Sequence, residues 1–294
     1  LITADGHLLQ IPFGVLADPA ETKAQPLLVN HEIVSLPSAS VIAVQRLEWA
    51  KRKPAAKQLA LFTDPVFEQD DERVTSKTRP EAVNVSLDRA ITDAAIGGDR
   101  SRLHRLPFSR SEADAILAFT RRDDSLKALD FTASKKVALG EDLGRYRIVH
   151  FATHALLNND HPELSGIVLS LADRQGRSVD GFLRLNEIYN LNLSADLVVL
   201  SACETGLGKQ IKEEGSIGLS RGFMGAGAQR VVSSLWKVDD EATAQLMGRF
   251  YEKMLKEGEA VPAALRHAQL AMSQEERWRG AYFCAGFQMA GEWK

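Results

Sequence analysis

With 294 residues, 45% of them hydrophobic and 26% charged, the chain has ordinary globular composition and enough length for one large domain or two small ones. A net charge of -3 and a pI near 6.2 exclude a general attraction to nucleic acid or to an anionic membrane surface. Two cysteines cannot build a disulfide framework and point to a reducing, cytoplasmic setting, and no apolar run approaches the roughly 18 residues of a membrane span.

The chain opens on Leu1 rather than methionine, so a longer parent protein is expected. Asp5-Gly6 between apolar runs predicts a hairpin. Ser38 or Ser40 can cap a helix from Val41 that ends in the basic turn Lys51-Arg-Lys53 before Pro54. Residues 1–58 are therefore set apart as an entry segment, with a core at 59–294. Leu59–Pro65 reads as the first strand of the core. The stretch 66–103 has little apolar periodicity and is expected to be a flexible loop, with Arg100, Arg102 and Arg105 as candidate cleavage points. Ser111-Glu-Ala-Asp114 resembles a capping box and predicts a helix to about Arg121. A strand is predicted near Lys136–Leu139, followed by a second at Tyr146–His154.

Gly166–Leu171 is a further apolar run, and a short helix is expected near Leu185–Tyr189. Leu197–Leu200 has four aliphatic residues without polar alternation, the pattern of a central parallel strand buried on both faces. Gly215–Gly227 predicts a glycine-rich helix packed closely on the sheet. A buried strand at Gln229–Trp236, helices at Asp240–Lys256 and Pro262–Met272, and a last strand at Phe287–Trp293 complete the chain. Strands separated by helices predict an α/β fold around a mainly parallel sheet with helices on both faces.

Two of these strands deliver chemistry to one place. Cys203 follows the 197–200 strand and His154 ends the 146–154 strand, at the carboxyl edge where open α/β sheets collect ligands. A thiol beside an imidazole is the minimum for cysteine nucleophilic catalysis. Other chemistries fail on spacing. His150 and His154 have the i, i+4 separation of a zinc pair, but Phe151-Ala-Thr153 supplies no glutamate, and His161 and Asp160 are weak further ligands. Gly206-Leu-Gly-Lys209 is no phosphate loop, because the leading glycine would fall at Cys203 and Gln210 follows the lysine. Glu214 displaces the first glycine of a Gly-x-Ser-x-Gly elbow around Ser216. The arginines between 100 and 105 form only a short basic cluster, and no nucleic-acid partner is expected. Cys284, in an apolar tail, reads as core.

HFATHA at 150–155, VVLSACETG at 198–206 and GLSRGFMGAGAQRVVSSLWKVDDEATAQLM at 218–247 together resemble the CHAT domain, a branch of the caspase-like cysteine peptidases. LITADGHLLQIPF at the start, LPSAS at 36–40, LPFSRSEADAI at 106–116 and AGFQMAGEW at 285–293 extend the likeness over nearly the whole chain. The resemblance implies a caspase-like fold and a cysteine endopeptidase making limited cuts in a protein substrate, with Cys203 as nucleophile and His154 as base, without a cofactor or metal. It implies oxyanion donors at the Cys203 and Ala155 amides, the latter where the family often has glycine. It further implies a substrate groove near Trp236, with Asp239, Asp240 or Glu204 offering a carboxylate to a basic P1 side chain. A tetratricopeptide-type repeat region, elsewhere in the parent chain or in a regulatory partner, is the partner it implies. The competing expectation is a non-catalytic caspase-like scaffold acting through protein contacts.

Overall fold

The computed structural model describes residues 1–294 apart from 5–7, 9–10, 22–23, 76–102, 158–161, 202 and 205–214, and without the side chains of 162, 203–204 and 215–217. The described strands are β1 (Val34–Ser35), β2 (Lys57–Thr63), β3 (Ser125–Leu129), β4 (Tyr146–Ala152), β5 (His154–Leu156), β6 (Gly166–Val168), β7 (Phe182–Arg184), β8 (Leu197–Leu200), β9 (Cys203–Glu204), β10 (Arg230–Ser234) and β11 (Phe287–Gly291). Seven form the main sheet in the order β1-β11-β10-β8-β4-β2-β3. All neighbours run parallel except β10 and β11. A second sheet has the order β7-β6-β5-β9.

β8 is the middle strand of the seven, and all four of its residues are buried. The unbroken aliphatic run follows from cover on both sides, which β4 displays residue by residue. His150 turns to the helices Phe108–Leu117 and Asp240–Tyr251, where its Nδ1 lies 2.9 Å from the Tyr251 hydroxyl. Phe151, the next residue, turns the other way and packs its ring, tilted by 39°, 5.6 Å from Phe223 in the helix Gly215–Gly225. Alternate residues of a strand point to opposite faces. The sheet is therefore the middle layer of three, as the sequence pattern predicts.

Several elements differ in detail. The run near Lys136 is a helix, Lys135–Gly140, because the Ser134 hydroxyl accepts from the Val137 amide and starts a helical turn. The strand of that region is β3, upstream. The helix predicted from Ser111 begins at Phe108; Pro107 stands at its N-cap without a side-chain cap, and Asp240 accepts the Phe108 amide at 2.9 Å. Ser38 holds the N-cap position of the helix Ala39–Trp49, yet its hydroxyl makes no capping bond. In the helix Gly215–Gly225 the glycines face the helix Leu185–Tyr189 rather than the sheet: a Cβ on Gly222 would meet Leu185 at 2.7 Å. Gly227, at φ +121°, turns the chain into β10 in a conformation side chains disfavour.

The Asp5-Gly6 turn lies outside the described residues. The rest of the entry segment joins the main sheet through β1, with Ile2 bridged to Ser35. Arg52 donates to the carbonyls of Leu193 and Gly227 at 2.7 and 2.9 Å. The described ends of the 66–103 stretch are pinned. Val66 donates to the Ser170 hydroxyl at 3.0 Å, Thr75 donates to the Arg174 carbonyl at 3.0 Å, and Leu103 is buried with Phe67, Leu156 and Phe182. Among the described residues no helix is long and apolar enough to cross a membrane.

Candidate active site

β4 and β8 each stop and hand the chain to the small sheet. Ser201 donates its amide to the Phe151 carbonyl at 3.0 Å. The Thr153 hydroxyl bonds the Val168 carbonyl at 2.5 Å, tying the step between β4 and β5 to β6. One residue further on, His154 stands directly opposite Cys203 in the parallel β5–β9 ladder, and Ala155 opposite Glu204. Neighbouring strands lie about 4.8 Å apart, so the pairing sets the two backbones side by side. The side chains of Cys203 and Glu204 are outside the described part.

The histidine is closely held. It is 4% exposed, and its ring packs 5.0 Å from Phe67. Its Nε2 lies 2.7 Å from the His104 carbonyl oxygen. A carbonyl only accepts, so Nε2 carries the proton and the neutral ring keeps its lone pair on Nδ1. Nδ1 is buried and has no partner among the described residues. Burial holds the imidazole pKa below its usual value; the His104 carbonyl opposes this, while the charges of Lys237 and His104 add to it. The result is a neutral base at ordinary pH.

Ala155 lies between β6 and β9, opposite Ile167 on one side and Glu204 on the other. It is in extended backbone and not among the positive-φ residues, so alanine in place of glycine carries no left-handed strain. Its backbone is committed to the small sheet.

Beyond β10, Trp236 donates its indole N–H to the Tyr282 carbonyl at 3.1 Å and stacks on the Tyr282 ring. Asp239 caps the helix Asp240–Tyr251 by accepting from Ala242 at 2.9 Å. Asp240 accepts the Phe108 amide of a different helix. Burial raises its pKa to about 6; the Phe108 bond opposes the rise, and Glu112, Asp239 and Asp64 add to it. The two carboxylates therefore have separate structural partners.

His150 plays no part at this edge. It is fully buried beneath the sheet, 2.9 Å from Glu112 Oε1 but without the alignment of a hydrogen bond. Cys284 packs in the core, and burial raises its thiol pKa. Among the described residues no three His, Cys, Asp or Glu side chains gather as metal ligands; His161 and Asp160 lie outside them. So do Arg100 and Arg102. Arg105 is in ion pairs with Asp64 and Glu72.

Sequence reasoning missed His104, because a backbone carbonyl has no residue signature. It also missed Asp64, for which the only signal was an aspartate directly after a buried strand. His104 borders a cleft of about 310 Å³ lined by Phe67, Asp71, Leu103 and Arg105 among others, and Arg105 is bonded to the buried Asp64.

Known proteins resemble this chain at several levels. Human tetratricopeptide repeat protein 28 is 24% identical over 311 residues, covering 99% of this chain and 12% of that protein. The mouse protein of the same name is 29% identical over 133 residues, covering 45% of this chain and 5% of its own length. The chain thus spans a small fraction of these relatives. Among solved structures, gingipain R, an Arg-specific cysteine proteinase, gives a TM-score of 0.49 at 10% identity over 88% of this chain and 53% of its own. The Saccharomyces cerevisiae separase–securin complex gives 0.47 at 13% identity, over 88% and 14%. These are distant likenesses of chain path. The sequence profile of the CHAT domain matches residues 1–292, and the chain belongs to the CHAT domain family.

Proposed function

We propose that the chain is a caspase-like cysteine endopeptidase domain in which Cys203 is the nucleophile and His154 the base. The observation that carries this reading is the ladder position of His154 opposite Cys203, with the imidazole proton committed to His104 and Nδ1 left as the acceptor. In the reaction Nδ1 takes the thiol proton and sulfur attacks the carbonyl carbon of a peptide bond. The resulting oxyanion is held by the Cys203 amide, and His154 returns the proton to the departing amine. Water activated by the same Nδ1 then releases the thioester. No metal or cofactor is needed, and a reducing compartment suits a free thiol.

A basic P1 side chain fits the acidic wall of this reading. Burial above all raises the Asp240 pKa, with the charges of Glu112, Asp239 and Asp64 adding to it, and an incoming cation would favour its ionised form. Asp239 is assigned the capping role, Trp236 the flat side of the groove, and Glu204 a second acidic contact. A tetratricopeptide repeat region is the proposed partner, given the repeat proteins that the chain matches over a fraction of their length.

The test is labelling by a thiol-reactive acyloxymethyl ketone bearing lysine or norleucine. Wild type should label at Cys203, Cys203→Ala should not, and His154→Ala should label at least 100-fold more slowly. Equal labelling of all three proteins, or none, would leave the scaffold reading standing.

A further inference from the structure

The bond that orients His154 is only as fixed as its acceptor. The His104 carbonyl sits in the stretch 103–106, which has no helix or strand of its own. Its neighbour Arg105 supplies the anchor. Arg105 Nε and Nη2 bond the two oxygens of Asp64 at 2.9 and 2.8 Å, and Nη1 reaches Glu72 at 2.7 Å. Asp64 directly follows β2, and its side chain is 0% exposed. Its backbone is at φ 47°, a left-handed conformation uncommon for a non-glycine residue.

Asp64 is the hub of a larger cluster. Arg110 Nε bonds its Oδ2 at 2.9 Å, and Arg73 approaches its Oδ1 at 3.0 Å. A buried carboxylate needs such company. Arg73 and Arg110 also bond Asp130 Oδ1 at 2.8 and 2.5 Å, so each has a second carboxylate in the same cluster. Arg105 pairs in addition with Glu72, which is 79% exposed. The two-point bond to Asp64 thus ties the 103–106 stretch directly to the end of β2, in a geometry that suits a guanidinium. The Arg105 pKa is raised, first of all by that bond.

We propose that Arg105 is a positioning residue. By clamping Asp64 it holds the adjacent His104 carbonyl against His154 Nε2, which fixes the tautomer that leaves Nδ1 free to accept a proton. The consequence for catalysis rests on the peptidase reading; the consequence for the tautomer does not. Removing support of this kind typically costs about 10- to 100-fold in rate.

The experiment uses ¹⁵N-histidine-labelled protein, with the His154 ring signals identified by their loss in His154→Gln. Wild type, Arg105→Met and Arg105→Lys are compared for ring tautomer and for the pH profile of Cys203 alkylation by iodoacetamide, with Cys203→Ala as background. Wild type should show a single Nε2–H form. Arg105→Met should show mixed tautomers and an alkylation profile displaced toward ordinary histidine values. Peptide hydrolysis by Arg105→Met should fall about 10- to 100-fold in kcat with KM within about twofold. Arg105→Lys, which keeps one charge-assisted bond, should lie between and also serves if the methionine variant does not fold. Mixed tautomers in the variants of a protein that neither alkylates nor hydrolyses would support the clamp and sink the peptidase. A wild-type tautomer and profile in a folded variant would overturn the clamp.

Discussion

Asp240 places the electrostatics of the site within reach of a stability measurement. Its carboxyl is raised from the ordinary 3.8 to about 6, by burial above all and by the charges of Glu112, Asp239 and Asp64 against the opposing Phe108 bond. A raised folded-state pKa means a contribution to stability that is fully present below the unfolded value and is lost as pH rises through about 6. At roughly 1.4 kcal/mol for each pH unit between the two values, the loss by neutral pH is about 3 kcal/mol. Partial contact with solvent halves this to about 1.5 kcal/mol. Asp240→Asn keeps an oxygen for the Phe108 amide and cannot ionise. Urea denaturation followed by circular dichroism at pH 4.0, 6.0 and 7.5, on wild type and variant together, reads the effect because the titration of groups remote from Asp240 cancels in the difference. The stability of Asp240→Asn relative to wild type should rise by about 1.5 kcal/mol between the lowest and highest pH. A difference that stays constant, or shrinks as pH rises, would refute the reasoning and leave Asp240 as a helix cap alone.

Other outcomes follow from packing and pairing. Phe223→Ala removes a fully buried ring packed against Phe151 and should cost about 3–5 kcal/mol, seen as a fall in Tm of roughly 10 °C by calorimetry. Tyr251→Phe leaves the buried His150 Nδ1 without its hydroxyl partner and should cost about 1–3 kcal/mol in urea unfolding. Glu292, paired with Arg46 through two bonds, has its carboxyl lowered to about 2, first of all by that pairing. Its contribution is present above about 4.5 and lost as pH falls through about 2, so Glu292→Gln should destabilise at pH 7 and converge with wild type in strong acid. Gly181→Ala would press a Cβ into the Ser170 and Leu169 carbonyls. It should lower Tm by several degrees and loosen the β6–β7 edge of the small sheet in hydrogen exchange.

The layered architecture was legible because burial on two faces writes itself as unbroken aliphatic runs. Leu197–Leu200 and the Ile148–Val149 pair could hardly be anything else. The run near Lys136 misled because Val137, Ala138 and Leu139 suit a strand as well as a helix, and one hydroxyl at Ser134 decides between them. The glycines of 215–227 announced a close approach but not its partner, since closeness to another helix and closeness to a sheet leave the same residue type. At the site, His154 and Cys203 stood out as residue types at strand ends. The stretch that aims His154 did not, because a carbonyl at His104 and a two-point bond from Arg105 to an aspartate 41 positions earlier are facts of three-dimensional closure.

His154 and Cys203 belong to the small sheet, not to the seven strands that bury most of the core. β9 contributes two ladder positions at the rim of that sheet. A ladder of two residues can open without the seven-stranded sheet coming apart. A variant can therefore melt with the wild type and still have the β5–β9 register altered. Amide exchange at Ala155, inside the strand that β9 borders, reports the difference directly.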